Sequence, residues 1–308
     1  MPIDGQPTDE PTVVWTRGSG CRELAEVISG DAAIRADSDP AVTCIRTGAA
    51  LMVSRRLSSF DLCSVAVPSG FSADTITGVV AAVGSGPHSP LAAAVAERIG
   101  SSLKIPARAV YAHGSPGPTA AATRIVQELD DQFPDLRIEA VGAASPEAMV
   151  QALPAGTLLV VGAPGGSWFQ RQFFGPGARI KHNASGGTIV VKAAPFRVYQ
   201  AMEPPTAFGP HMRVADALAV GVGDVVVASE SVLLGVVSAA ALIAADPDAE
   251  LGELAHETAF LAPEETIGHA RDLIDDTDSM TIPVLDSSGN LVGVYRAGTA
   301  DPTGLRWA

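Results

Sequence analysis

Through the middle of the chain, short apolar runs alternate with longer stretches in which apolar residues recur every three to four positions. Val79-Val80-Ala81-Ala82-Val83 is one such run and ends at Gly84-Ser85-Gly86. Ser89 then offers an N-cap and Pro90 stands at a first helical position, so the Ala-rich segment to Ile99 is predicted as helix. Ala109-Val110-Tyr111-Ala112 is a second predicted strand, and Thr119 to Leu129 a second helix with Ala121, Ile125 and Leu129 on one stripe. Leu136 to Val141 alternates as a strand does. Pro146 to Leu153 is a third helix, and Thr157 to Val161, apolar throughout, is a central strand. Gly177 to Asn183 is a short helix and Thr188 to Val191 a fifth strand. Repeated βα units of this length require a parallel sheet with crossover helices. Ligands on such sheets bind beyond the carboxyl ends of the strands.

Residues 12–68 repeat part of this rhythm. Val13-Val14-Trp15 reads as a strand, Cys21 to Ile28 as a helix, Ala41 to Ile45 as a strand and Ala49 to Leu57 as a second helix. Leu62 to Pro68 reads as a closing strand. The order matches Leu136 to Val191, with the loop between second strand and second helix reduced to Arg46-Thr47-Gly48. Such a half-unit cannot cover both faces of its sheet, so the strand at Leu62–Val67 is expected to pair with, or pack beside, the one at Thr188–Val191.

After Pro195 two stretches resemble each other. Val214-Ala215-Asp216-Ala217-Leu218, Asp224 to Val227 and Leu233 to Val237 correspond to Thr266 to Ala270, Thr281 to Asp286 and Leu291 to Val294. Each copy reads as a helix followed by two strands joined by a turn, and Ser287-Ser288-Gly289-Asn290 has the chemistry of a hairpin turn. The pattern divides the chain into 1–70, 75–195 and 196–308.

Composition sharpens this. Of 308 residues, 47% are hydrophobic and 18% charged, enough apolar surface for large cores and against global disorder. Net charge is −14, which disfavours nucleic-acid backbones and anionic membranes as partners. The apolar stretch Val232 to Ala245 is shorter than the ~20 residues that span a bilayer and reads as a buried strand entering a helix. The N-terminal MPIDGQPTDEPT has neither basic nor apolar signal-peptide regions, and Cys21, Cys44 and Cys63 form no CxxC, so buried thiols in a reducing cytoplasm are expected.

The fourth strand of the middle segment opens a glycine-rich loop: Gly162-Ala-Pro-Gly165, nine residues, then Gly175-Pro176-Gly177. Glycines of this kind let a backbone approach a phosphate, though a tight turn also explains them. In this position the spacing resembles the G-x2-G-x9-G-(S/T) loop of the universal stress protein family, over Thr77 to Ala194. The resemblance implies a five-stranded Rossmann-like α/β sheet that takes ATP against Gly84, Gly162, Gly165, Gly175 and Gly177. Two positions depart from it. Gly84 stands where ATP-binding members carry an Asp, and Pro176 replaces the Ser or Thr that contacts phosphate. Between the glycines lie Trp168, Phe169, Phe173 and Phe174, either a loop folded onto its own sheet or a docking surface for a protein partner. Residues 1–70 resemble a degenerate half of the same domain.

The stretch TIPVLDSSGNLVGV resembles the hairpin of a cystathionine-β-synthase (CBS) domain, so residues 196–308 resemble an α+β tandem CBS pair. Such pairs commonly bind adenylates such as AMP. The family's ribose signature, Gly-apolar-x-Ser/Thr-x-x-Asp, falls on Gly235 to Ala241, where Ser238 is kept and Ala241 replaces the aspartate. In the second copy Arg296 stands at the Ser/Thr position and Thr299 at the aspartate position, and Arg296 offers a guanidinium to phosphate. No HExxH, GxSxG or Walker lysine occurs, and no histidine falls at metal-ligand spacing with a second ligand. His88 and His113 end neighbouring strands on the ligand side. The combined expectation is a non-catalytic cytoplasmic regulatory or scaffold protein, a homodimer or larger oligomer. An adenine-nucleotide sensor responding to ATP or AMP is the alternative.

Overall fold

The computed structural model describes residues 11–57, 61–84, 86–113, 120–142, 146–163, 184–221, 223–277 and 279–299. Two compact units meet in sequence at Pro195 and Phe196.

The first unit is built on β1 (Val13–Trp15), α1 (Cys21–Ser29), β2 (Ala33–Arg35), α2 (Pro40–Thr47), β3 (Leu51–Val53) and β4 (Ser64–Ser69). It continues through β5 (Gly78–Val83), α3 (Ser89–Leu103), β6 (Ala107–His113), α4 (Ala120–Gln132), β7 (Arg137–Gly142), α5 (Pro146–Gln151), β8 (Thr157–Gly162) and β9 (Thr188–Lys192). All nine strands form one sheet in the order β2-β1-β3-β4-β9-β8-β5-β6-β7. Neighbours run parallel except at the β4–β9 seam, which is antiparallel with Val65 opposite Lys192 and Val67 opposite Val190. The pairing expected between Leu62–Val67 and Thr188–Val191 is thus realised, and the predicted five strands sit inside a larger mixed sheet.

Both faces are covered, which is why the inner positions of the central strands, such as Val79–Val83, Leu158–Val161 and Ile189–Val191, are apolar toward both faces. On one face α1 and α3 touch each other, and Arg98 Nε donates to Ile28 O at 2.8 Å. On the other, Val14, Cys44, Met52 and Val65 form one cluster and Val80, Val110, Met149, Leu159 and Val161 another. Val67 packs against both, so that face's apolar layer crosses the seam.

Residues 12–68 depart from the expected pattern. Ala41 to Ile45 is not a strand but the body of α2, where Asp39 accepts from the Ala41 N–H at 2.8 Å and Pro40 occupies the first turn. Capping and a preset φ outweigh the strand preference of Val42, Thr43 and Ile45. Arg46-Thr47-Gly48 is therefore a helix end, with Gly48 left-handed at φ 65°, and not a shortened ligand loop. The helix expected over Ala49 to Leu57 is instead β3, which lies between β1 and β4 and is buried at all three positions. β2 was not anticipated. From the seam outward the strands run β4-β3-β1-β2 on one side and β9-β8-β5-β6 on the other. The first segment thus follows the same order with one strand fewer, rather than copying the second half.

The second unit contains β10 (Ala207–Phe208), α6 (Val214–Val220), β11 (Val225–Ser229), β12 (Val232–Val237) and α7 (Ala239–Ala244). A second set follows: α8 (Leu251–Leu254), α9 (Ile267–Thr277), β13 (Thr281–Leu285) and β14 (Leu291–Arg296). The copies match closely. β10 lies parallel to β11 as Leu261 lies parallel to Val284, and each hairpin carries a register shift, after Val227 and after Val284. Their entering segments are exchanged. Glu203, ahead of the first copy, bridges Val294 of the second, and His256, ahead of the second, bridges Val236 of the first. Val198 accordingly sits in the second core and Leu251 in the first. Val232 to Val237 does run as a strand into a helix, but its outer half is open to solvent at Val232 and Leu234.

Candidate functional site

In the first unit the chain leaves β5 for β6 on one side and later returns to β8 on the other. The carboxyl ends of β5 and β8 therefore flank the switch point at which sheets of this kind place ligands. Gly84 closes β5, and its N–H donates to Ser89 Oγ at 2.8 Å. The one polar group that Gly84 could turn toward an anion is thereby used to start α3. His88, at the N-cap of α3, takes the Ala193 N–H on Nδ1 at 3.1 Å. An accepting Nδ1 leaves the ring proton on Nε2. Burial lowers the His88 pKa, and the nearby Lys192 charge lowers it further. The ring is a neutral brace between α3 and the segment after β9.

Gly162 is buried at the end of β8, paired in register with Val191, and the next amide, Ala163 N–H, donates to Val191 O at 2.6 Å. Gly165, Gly175 and Gly177, with Pro176 and the aromatics Trp168, Phe169, Phe173 and Phe174, lie outside the described residues, as does the helix expected over Gly177 to Asn183. The backbone of His113 ends β6, and its side chain is outside the described set.

In the second unit, Ser238 and Arg296 are both committed to the fold. Ser238 Oγ accepts from the Ala241 N–H at 3.2 Å and caps α7. Arg296 Nε pairs with Glu203 at 3.0 Å, and its Nη1 donates to Thr281 Oγ1 at 3.1 Å. It holds the entering segment of one copy onto the last strand of the other. A cleft of about 480 Å³ runs beside the outer half of β12, lined by Leu233, Leu234, Gly235, Glu257, Phe260 and others. Neither Ser238 nor Arg296 reaches it.

Asp224 went unnoticed in the sequence. Its carboxylate accepts from the Ala239 N–H at 3.0 Å and the Met280 N–H at 2.8 Å, joining the start of α7 to the entry of β13. An aspartate before an apolar strand is an ordinary sequence feature, and only the approach of residue 280 gives it this task.

Among the described residues no group of three His, Cys, Asp or Glu side chains is arranged to hold a metal ion. None of their helices is long and apolar enough to cross a membrane.

No protein-family model matches this chain, and no curated protein matches it. Solved structures do resemble part of it, several of them of CBS domains. The cytosolic domain of the Mg2+ channel MgtE in complex with ATP is 25% identical over 32% of this chain and 45% of its own, with a TM-score of 0.31. The protein CBSX2 in complex with AMP is 23% identical over 34% of this chain and 92% of its own, with a TM-score of 0.32. The CBS domains of a transcriptional regulator from Streptococcus pneumoniae are 18% identical over 34% and 95%, also with a TM-score of 0.32. The match spans less than half the length of the MgtE cytosolic domain and of the soluble part of a magnesium transporter.

Proposed function

We propose that the chain is a non-catalytic regulatory or scaffold protein of universal stress protein plus CBS type, acting through self-association or a protein partner. One observation carries this reading. At Gly84, Ser238 and Arg296, described positions where those resemblances send a ligand contact, a polar group serves the fold. The Gly84 amide holds Ser89, Ser238 caps α7, and Arg296 binds Glu203 and Thr281. Turning the Gly84 amide or the Arg296–Glu203 pair toward a nucleotide would cost an internal bond of ~1 kcal/mol, more for the charged pair. The exchange of entering segments between the two C-terminal copies favours a unit that works through its shape.

The second reading is an adenine-nucleotide sensor, and the cleft beside β12 favours it because its volume falls in the range of small-molecule sites. Calorimetric titration of the full chain with ATP, ADP and AMP separates the two. Silence at millimolar ligand keeps the scaffold, whereas micromolar binding of any of the three replaces it with the sensor. Sedimentation velocity tests the other half: a chain that stays monomeric at all concentrations removes self-association.

A further inference from the structure

The first unit contains a second switch point of the same kind. β1 lies between β2 and β3, so the chain order also reverses there. The carboxyl ends of these strands carry arginine. Arg17 follows β1, Arg35 ends β2, and Arg55 and Arg56 follow β3. These are four of the 20 Lys and Arg residues of an acidic chain, gathered from three strand ends. All four are exposed, and none pairs with a carboxylate among the described residues.

The loop between them is shaped by one of these side chains. A Cβ on Gly18 would fall 2.3 Å from Arg55 Cγ, so the absence of a side chain at 18 is what lets Arg55 lie across the loop after β1. Arg35 Cζ lies 5.7 Å from the Trp15 ring centroid, a cation–π contact that holds its guanidinium beside the end of β1. A cavity of about 520 Å³ opens beside them, lined by Thr16, Arg17, Arg35, Ala36, Asp37 and Ser38, with Pro40 at its edge. Its one carboxylate, Asp37, is neutralised by Arg46 Nη2 at 2.8 Å. The chain's negative charge is also concentrated elsewhere. Residues 196–302 hold 17 of the 34 carboxylates and only four arginines, while residues 1–195 hold 15 basic and 17 acidic groups.

We propose that this crevice binds a small polyphosphate anion, a di- or triphosphate group, on Arg17 and Arg35 in the cavity wall, with Arg55 and Arg56 following the neighbouring strand β3. Guanidinium forks match phosphate oxygens two at a time, and guanidiniums without carboxylate partners on separate, adjacent strand ends suit a chain of phosphates better than a single one. The site is separate from the positions that the regulatory reading turns on and from the C-terminal cleft; ATP or ADP binding that the arginine changes below abolish belongs to this site, and AMP, which has no polyphosphate, decides between scaffold and sensor.

The test is calorimetric titration of the full chain with sodium tripolyphosphate at low salt, with ATP as a second ligand. Tripolyphosphate is expected to bind, with affinity falling as NaCl is raised. Arg17→Gln/Arg56→Gln should weaken it tenfold or more, and Arg55→Ala similarly. Arg137→Ala, an exposed arginine on β7 paired with Glu139, should leave it unchanged. Melting curves confirm folding, and the double variant removes only exposed groups. ATP binding no tighter than tripolyphosphate identifies the phosphate chain alone as the ligand; tighter ATP binding that is lost in the same variants identifies a nucleotide. Absence of binding by the unaltered chain overturns the proposal, as does unchanged affinity in the double variant. ATP binding that survives both arginine changes at full strength overturns it as well, because the triphosphate is then held elsewhere.

Discussion

Single residues in this protein carry consequences that their neighbours do not. His88 is held neutral in the fold, so its pKa lies below the ordinary 6.5. The unfolded chain then takes up a proton that the folded chain resists. The stability this represents is complete above pH 6.5 and is lost as pH falls toward the lowered value. Thermal stability should therefore decline as pH falls below about 6.5, and less so in His88→Asn, which has no group to titrate. Gly235 makes a different kind of contact. A Cβ there would sit 2.3 Å from the His256 carbonyl oxygen, the point where the second copy's entering segment bridges β12. Gly235→Ala should cost on the order of 2–3 kcal/mol in chemical denaturation, and Gly209→Ala, with nothing within 4 Å, close to none. The thiols are closed off. Cys21, Cys44 and Cys63 are all buried, and burial raises the Cys21 pKa against the pull of Arg55. A thiol reagent should find no fast-reacting cysteine in the native chain and three after denaturation.

At the scale of elements, the seam between β4 and β9 decides how the first unit holds together. β9 carries Ile189, Val190 and Val191, all buried, and β4 covers its outer edge. A chain starting after β4 would leave that apolar strand as an open edge. Deletion of residues 1–70 should therefore produce aggregation on light scattering at concentrations where the full chain stays clear. The sequence exposed most strands of this unit but mistook α2 and β3 for each other, and the reason is local. Pro40-Ala-Val-Thr-Cys-Ile is rich in strand-forming side chains, and the decisive cues, Asp39 as cap and Gly48 as stop, stand outside it. Leu51-Met52-Val53 is too short to show a period, and its strand character comes from the two strands on either side of it.

Across the molecule, charge is divided unevenly. The second unit, Phe196–Pro302, carries a formal charge of −13. Self-repulsion of that size opposes a compact state and is screened by salt. Melting of this unit, followed by the near-UV signal to which the buried Tyr199 and Tyr295 contribute, should shift upward as NaCl is raised from low to moderate concentration. An unchanged midpoint would mean that the carboxylates lie too far apart to interact. The candidate sites were unequally legible. Gly84, Gly162, Ser238 and Arg296 were visible as motif positions, but whether their polar groups were free or spent was not, because Ser89, Val191, Ala241 and Glu203 meet them only after folding. Glu203 lies 93 positions from Arg296.

The order of apolar and polar residues by itself determined an α/β protein with parallel strands, a repeated pair of hairpins after Pro195, and the absence of familiar catalytic spacings. It could do so because strand and helix periods are written within a few consecutive residues. Tertiary structure alone decided that nine of the described strands share one sheet, that the two C-terminal copies exchange their entering segments, and that the arginine-bearing ends of β1, β2 and β3 lie side by side. Those features depend on strand order and register between segments far apart in sequence, and a chain read one window at a time does not contain them.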